Sequence, residues 1–129
     1  MSQLEKVFLY KVYSALVETA GMRSTITLEA LVSKCGLPFE AEGMADVVYK
    51  YLDAIAKYEA VNGRPMITAV ITKQDHTPTQ AFLKKCVVHQ RNVSEREAAD
   101  ILKTYKNRDK IELWNQELIK LYQQWLISL

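Results

Sequence analysis

Between two helical patterns the sequence breaks at Gly63 and Pro65, then runs from Met66 to Thr72 through five β-branched residues and ends in a polar turn, Lys73 to Thr77. Ile67, Thr68, Val70, Ile71 and Thr72 lose side-chain freedom in a helix and suit a pleated strand. The segment is therefore predicted as a strand over 66–72 with a turn behind it. Almost everything else has helical spacing, so the expected fold class is mainly α with a small β-hairpin.

Leu4, Val7, Phe8, Val12, Ala15 and Leu16 recur at helical intervals before Gly21, which predicts helix one over 3–20. Thr27 is a good N-cap for a short second helix with Leu28, Leu31 and Val32 on one face, ended by Gly36 and Pro38. A third helix is expected over 41–61, with Met44, Val47, Val48, Leu52, Ile55 and Ala56 on one side. Residues 79–89 suit a returning strand or a short helix, and Phe82, Leu83, Cys86 and Val87 favour the helix. Ser94 and Glu97 match a capping box, so a helix should run from there to about Lys106, followed by a last one over 110–127.

Helix, short strand, helix, turn, long helix and strand pair is the order of a winged helix. Residues 1–91 are accordingly expected to form a winged-helix-like core and residues 92–129 a C-terminal helical extension packed on it, in one folding unit. At 129 residues with 49% apolar and 25% charged content, one globular domain is the expectation.

The run Ile26-Thr27-Leu28-Glu29-Ala30-Leu31 through Gly36-Leu37-Pro38 resembles a segment "ITYGELAKLLGLP" found in a family of small uncharacterised bacterial and phage proteins. Asn62-Gly63-Arg64-Pro65 through Lys73, with Pro78 and Phe82 in register, resembles that family's "NGLPPLTALVVNKDTGMPGEGFF", and Trp114 to Trp125 resembles its ending "EL..VY.YW". The resemblance implies a fold and no reaction. The family's turn carries glycines where this chain has His76, Thr79 and Ala81.

Lysine and arginine number 17 against 15 acids, a net charge of +2, so any binding signal must be local. The sharply basic stretch is Lys73 to Arg91, with Lys73, His76, Lys84, Lys85, His89 and Arg91 against Asp75. With Tyr49, Lys50 and Lys57 presented by helix three, this set is expected to contact nucleic acid, Lys73, His76, Lys84, Lys85 and Arg91 at phosphates. Asp46, Asp53 and Glu59 on the same helix oppose it. The leading expectation is a non-enzymatic, winged-helix-like protein that binds nucleic acid. The alternative is a protein-interaction module such as an accessory or inhibitor factor.

Ile111, Trp114, Leu118, Leu121 and Trp125, widened by Tyr122 and Leu126, form an apolar stripe on the last helix. It is expected to pack on helix one, and Trp114, Leu118, Leu121 and Trp125 are also candidates for a homodimer interface. Cys86 and His89 have ligand-like spacing, and His76 and Cys35 are the candidates to complete a metal site. Only one tight pair exists, so no metal or other cofactor is expected. No phosphate-binding loop or paired nucleophile and base is present, so no enzyme activity is expected. Two distant cysteines, no leader-like N-terminus and no run of about 20 apolar residues point to a cytoplasmic protein that does not cross a membrane.

Overall fold

The structure, a computed structural model, describes residues 3–37 and 42–125. Six helices stand among these residues: α1 (Gln3–Gly21), α2 (Leu28–Lys34), α3 (Met44–Val61), α4 (Gln80–Arg91), α5 (Glu95–Leu102) and α6 (Asn107–Gln124). Two short strands, β1 (Ile26–Thr27) and β2 (Ile71–Thr72), complete a mainly helical fold. Pro38, Ala41, Leu126 and Ile127, which entered the expected element ends and the last stripe, lie outside the described residues.

Local chemistry accounts for the ends. Thr27 Oγ1 accepts the Ala30 amide at 3.2 Å and opens α2. Gly36, at φ 75°, closes it, with the Leu37 amide donating to Val32 O at 3.1 Å and the Leu37 side chain buried. Thr79 caps α4 through the Phe82 amide at 3.2 Å, and Ser94 caps α5 through the Glu97 amide at 3.1 Å. The fifth helix stops at Leu102, four residues before the expected end. The sixth starts at Asn107 because Asp109 Oδ2 accepts the Lys106 amide at 3.0 Å.

The β-structure differs from the expected hairpin in its pairing. Strand β2 lies parallel to β1, with Ile26 opposite Ile71 and Thr27 opposite Thr72. The returning strand is replaced by α4, leaving one antiparallel bridge, Thr72 to Pro78, across the Lys73–Thr77 turn. Of the predicted strand 66–72 only the last two residues form a strand, because Ile67–Val70 coils into a 3-10 turn packed against α1, α3 and α6. Ile67, Ala69 and Val70 are fully buried. Buried backbone needs partners, and two come from α6. Trp114 Nε1 donates to Ala69 O at 2.7 Å, and the Glu117 carboxylate accepts the Met66 amide at 3.1 Å.

The core is built from Val12 and Leu16 of α1, Leu31 and Val32 of α2, Val48 and Ile55 of α3, Phe82 and Val87 of α4, Leu102 of α5 and Leu121 of α6. The first two turns of α1 reach it only through the partly buried Phe8 and Leu9. Leu4 is 65% exposed and Val7 44%, while the buried face begins at Val12.

Candidate functional site

The carboxyl ends of the two parallel strands open onto a groove bounded by α2, α3 and α4. It has two lobes. One, of ≈ 240 Å³, has a floor of Leu28, Leu52, Ile71 and Phe82. The other, of ≈ 380 Å³, runs past Thr72, Lys73 and Gln74 to the first turn of α4 at Gln80. Leu28, Tyr49, Thr79 and Ala81 line both lobes, which therefore adjoin. Tyr49 stands in the wall they share, 46% exposed.

Of the residues that the sequence nominates for nucleic acid, Tyr49, Lys73, Lys84 and Lys85 meet at this groove. Lys85 is engaged there. Its ammonium lies 3.2 Å from Asp53 and 2.9 Å from Glu95, tying α3, α4 and α5 together. Asp53 also receives Lys57 at 3.1 Å. The Lys57 hydrogen bond, followed by that of Lys85, holds the Asp53 carboxyl below its ordinary range, and Lys85 does the same for Glu95. The bond to Glu95 in turn raises the Lys85 ammonium. Lys50 points to α1, 3.6 Å from Glu5.

The remaining candidates lie apart from the groove lining. Arg91 is at the far end of α4, where its guanidinium donates to the Tyr105 hydroxyl at 3.3 Å and stacks over that ring. His76 is exposed at the tip of the turn with φ 63°, in the left-handed region. The turn itself is fixed by Asp75, which accepts both the amide and the hydroxyl of Thr77, and by a hydrogen bond from Gln74 to Glu29.

In the C-terminal stripe, Leu118 and Leu121 are buried within the chain, and Trp114 and Trp125 are half-buried against the core. The Trp114 indole anchors the 3-10 turn, and Arg64 lies over the Trp125 ring. Ile119, 60% exposed, and Ile111 are the large aliphatic residues of α6 left at the surface among the described residues.

A second charged cluster escaped the sequence reading. Glu59, expected to oppose phosphate from helix three, is fully buried. It accepts the Tyr13 hydroxyl at 2.5 Å and both Arg64 Nε at 2.7 Å and Arg64 Nη2 at 3.2 Å. Arg64 also covers the Tyr58 ring. Burial, then the bond to Glu59, pushes the Tyr13 phenol up to about 12. One sequence signal existed, since Glu59 follows Ile55 by four positions and so shares its buried face.

Among the described residues no three His, Cys, Asp or Glu side chains converge as a metal site would need. Both cysteines are free and buried. Burial raises the Cys35 thiol and pushes Cys86 up to about 12, and Cys86 Sγ rests 3.9 Å from the Met66 sulfur. Among the described residues no helix is long and apolar enough to cross a membrane. No family model, curated protein or solved structure matches the chain.

Proposed function

We propose that this protein is a non-enzymatic binding module that holds a segment of another protein in the groove between α2, α3 and α4. The observation that carries this reading is the pair of adjoining lobes, with an apolar floor and a half-exposed tyrosine in the wall they share. Concave apolar surface with a few polar groups is the usual form of a recognition site, and tyrosine is a frequent anchor. Three lysines of the expected nucleic-acid set, Lys50 and Lys57 on helix three and Lys85 among the phosphate contacts, already have carboxylate partners. Buried, high-pKa thiols make poor nucleophiles and suit a reducing, cytoplasmic setting.

Nucleic-acid binding is the second reading. It is favoured by Lys73 and Lys84, which flank the groove without an ion-pair partner among the described residues. In that reading Lys73, His76 and Lys84 contact phosphate and Tyr49 meets a base. A salt series with a random duplex and a random single strand separates the two. Protein-segment binding predicts absent or salt-independent association. Phosphate binding predicts steep weakening with salt and a similar loss for every sequence in Lys73→Glu/Lys84→Glu. A homodimer, if formed through α6, would use its exposed Ile111 and Ile119 edge, and light scattering against the monomer mass of 14.8 kDa decides it.

A further inference from the structure

Resting on the protein-segment reading, the two lobes differ in chemistry in a way that defines their occupant. We infer that the groove takes an extended segment in which a bulky apolar side chain stands beside an aspartate or glutamate.

The apolar half of this specificity follows from the ≈ 240 Å³ lobe, whose floor is Leu28, Leu52, Ile71 and Phe82. A leucine, isoleucine or phenylalanine side chain there removes apolar surface from water on both partners.

The acidic half follows from three features of the other lobe. First, it contains the start of α4, a 12-residue helix. The Thr79 hydroxyl and carbonyl take the Phe82 and Leu83 amides, whereas Gln80 and Ala81 are first-turn residues whose amides have no intrahelical acceptor. Helix starts favour anions. Second, Thr72 lines the lobe, is fully buried, and its hydroxyl has no hydrogen-bond partner. A donor left unpaired costs free energy that an acceptor on a ligand recovers. Third, Lys73 lines this lobe and Lys84 the adjoining one, both outside any salt bridge among the described residues, whereas the lobe's carboxylate, Glu29, is engaged by Gln74, and Asp53 and Glu95 are held by Lys57 and Lys85. Because the lobes share the wall of Leu28, Tyr49 and Ala81, the acidic and apolar residues must be neighbours or one position apart.

The test is selection of a random peptide library on the full chain, with counter-selection on Ala81→Trp, which fills the shared wall from an exposed position. Circular dichroism checks that the variant folds. If it does not, Ala81→Glu, which sets a like charge at the same point, replaces it. Enriched peptides are expected to pair Asp or Glu with a bulky apolar residue at most two positions away. A synthetic peptide of that sequence should bind the Lys73→Glu protein more weakly by on the order of tenfold. Groove-dependent peptides that lack an acid, or that bind Lys73→Glu equally well, overturn the acidic specificity and leave the binding module standing. If no peptide distinguishes the unmodified protein from the wall variant, both readings fall.

Discussion

Helix α3 carries two ionic bridges six residues apart, and they lie in opposite environments. At Glu59 the carboxylate is fully buried, held by Tyr13 from α1 and by Arg64 from the chain after α3. At Asp53 the carboxylate is half-exposed on the groove wall, held by Lys57 and Lys85 and through Lys85 linked to Glu95. Both sets tie several elements together. They differ in what happens when one member leaves, since a buried charge without its partner has no water to turn to, and an exposed one does. The Glu59 cluster therefore belongs to the fold, while the Asp53 cluster shapes and charges a surface that stays open to a ligand.

The strongest way to break this contrast is Glu59→Ala. Removing the carboxylate opens a cavity at a fully buried position and takes the shared acceptor from the half-buried Tyr13 hydroxyl and the partly exposed Arg64, and should destabilise by about 3 to 4 kcal/mol in chemical denaturation. Replacing Glu59 and Arg64 together by Leu and Met should recover much of the loss, because no charge is then stranded. A Glu59→Ala loss below about 1 kcal/mol, the range of surface pairs, would remove the contrast. The Tyr13 phenol adds a pH signature. Its folded value is raised to about 12, so the stability it contributes is whole below its ordinary value near 10 and is lost as pH rises toward 12. Tyr13→Phe should flatten that alkaline decline.

Next in size is Trp114→Ala. The indole is half-buried, and its loss also strands the Ala69 carbonyl of the buried 3-10 turn. A destabilisation of about 3 kcal/mol is expected. Trp114→Phe, which keeps most of the ring, should lose about 1 kcal/mol, the share of the hydrogen bond. Equal losses for the two would show that the indole NH, and not the ring, anchors the turn.

The exposed bridge should answer differently. Lys85→Met removes both groove contacts and is expected to lose about 1 kcal/mol, read as a drop of about 4 °C in melting temperature. Asp53 and Glu95 have lowered folded values, so their contribution is present above the ordinary carboxyl range and lost as pH falls through the folded values. Lys85 has a raised value, so its contribution is present below its ordinary value and lost as pH climbs through the folded one. The difference between the unmodified protein and Lys85→Met should therefore be widest between about pH 5 and 10 and shrink outside that window.

These contrasts also explain how far the sequence could be read. The helices were legible because their ends are local chemistry: Thr27, Gly36 and Ser94 act on amides within a few positions of themselves. The strand was legible only at Ile71 and Thr72. Nothing within residues 66–72 says that Trp114 and Glu117, more than forty positions away, satisfy that backbone and let it coil. The basic residues were visible, but their ion pairs were not. Lys85 gains Asp53 and Glu95 only when α3, α4 and α5 meet. The groove was invisible for the same reason, because its two lobes join residues from α2, α3, β2 and α4.

The smallest expected effect is at the tip of the turn. His76 has φ 63°, a conformation in which a side chain crowds its own backbone and which glycine adopts freely. The turn holds it there through the His76 amide on Lys73 O at 2.9 Å, the Lys73 amide on Thr77 O at 2.9 Å and the Asp75 carboxylate on Thr77. His76→Gly relieves the crowding but gives the unfolded chain more freedom, so the two effects oppose each other. Histidine tolerates the left-handed region better than branched residues do, and the net change should lie within about 0.5 kcal/mol of zero. Because the imidazole is exposed and outside the groove lining, peptide binding should be unchanged in the variant. Phosphate binding by the turn predicts the opposite, a loss of affinity for duplex when the side chain is removed. Titration of His76→Gly against a peptide and a duplex thus extends the contrast between the interior and the groove to the choice of ligand. A loss for duplex alone would move the site from the groove to the turn.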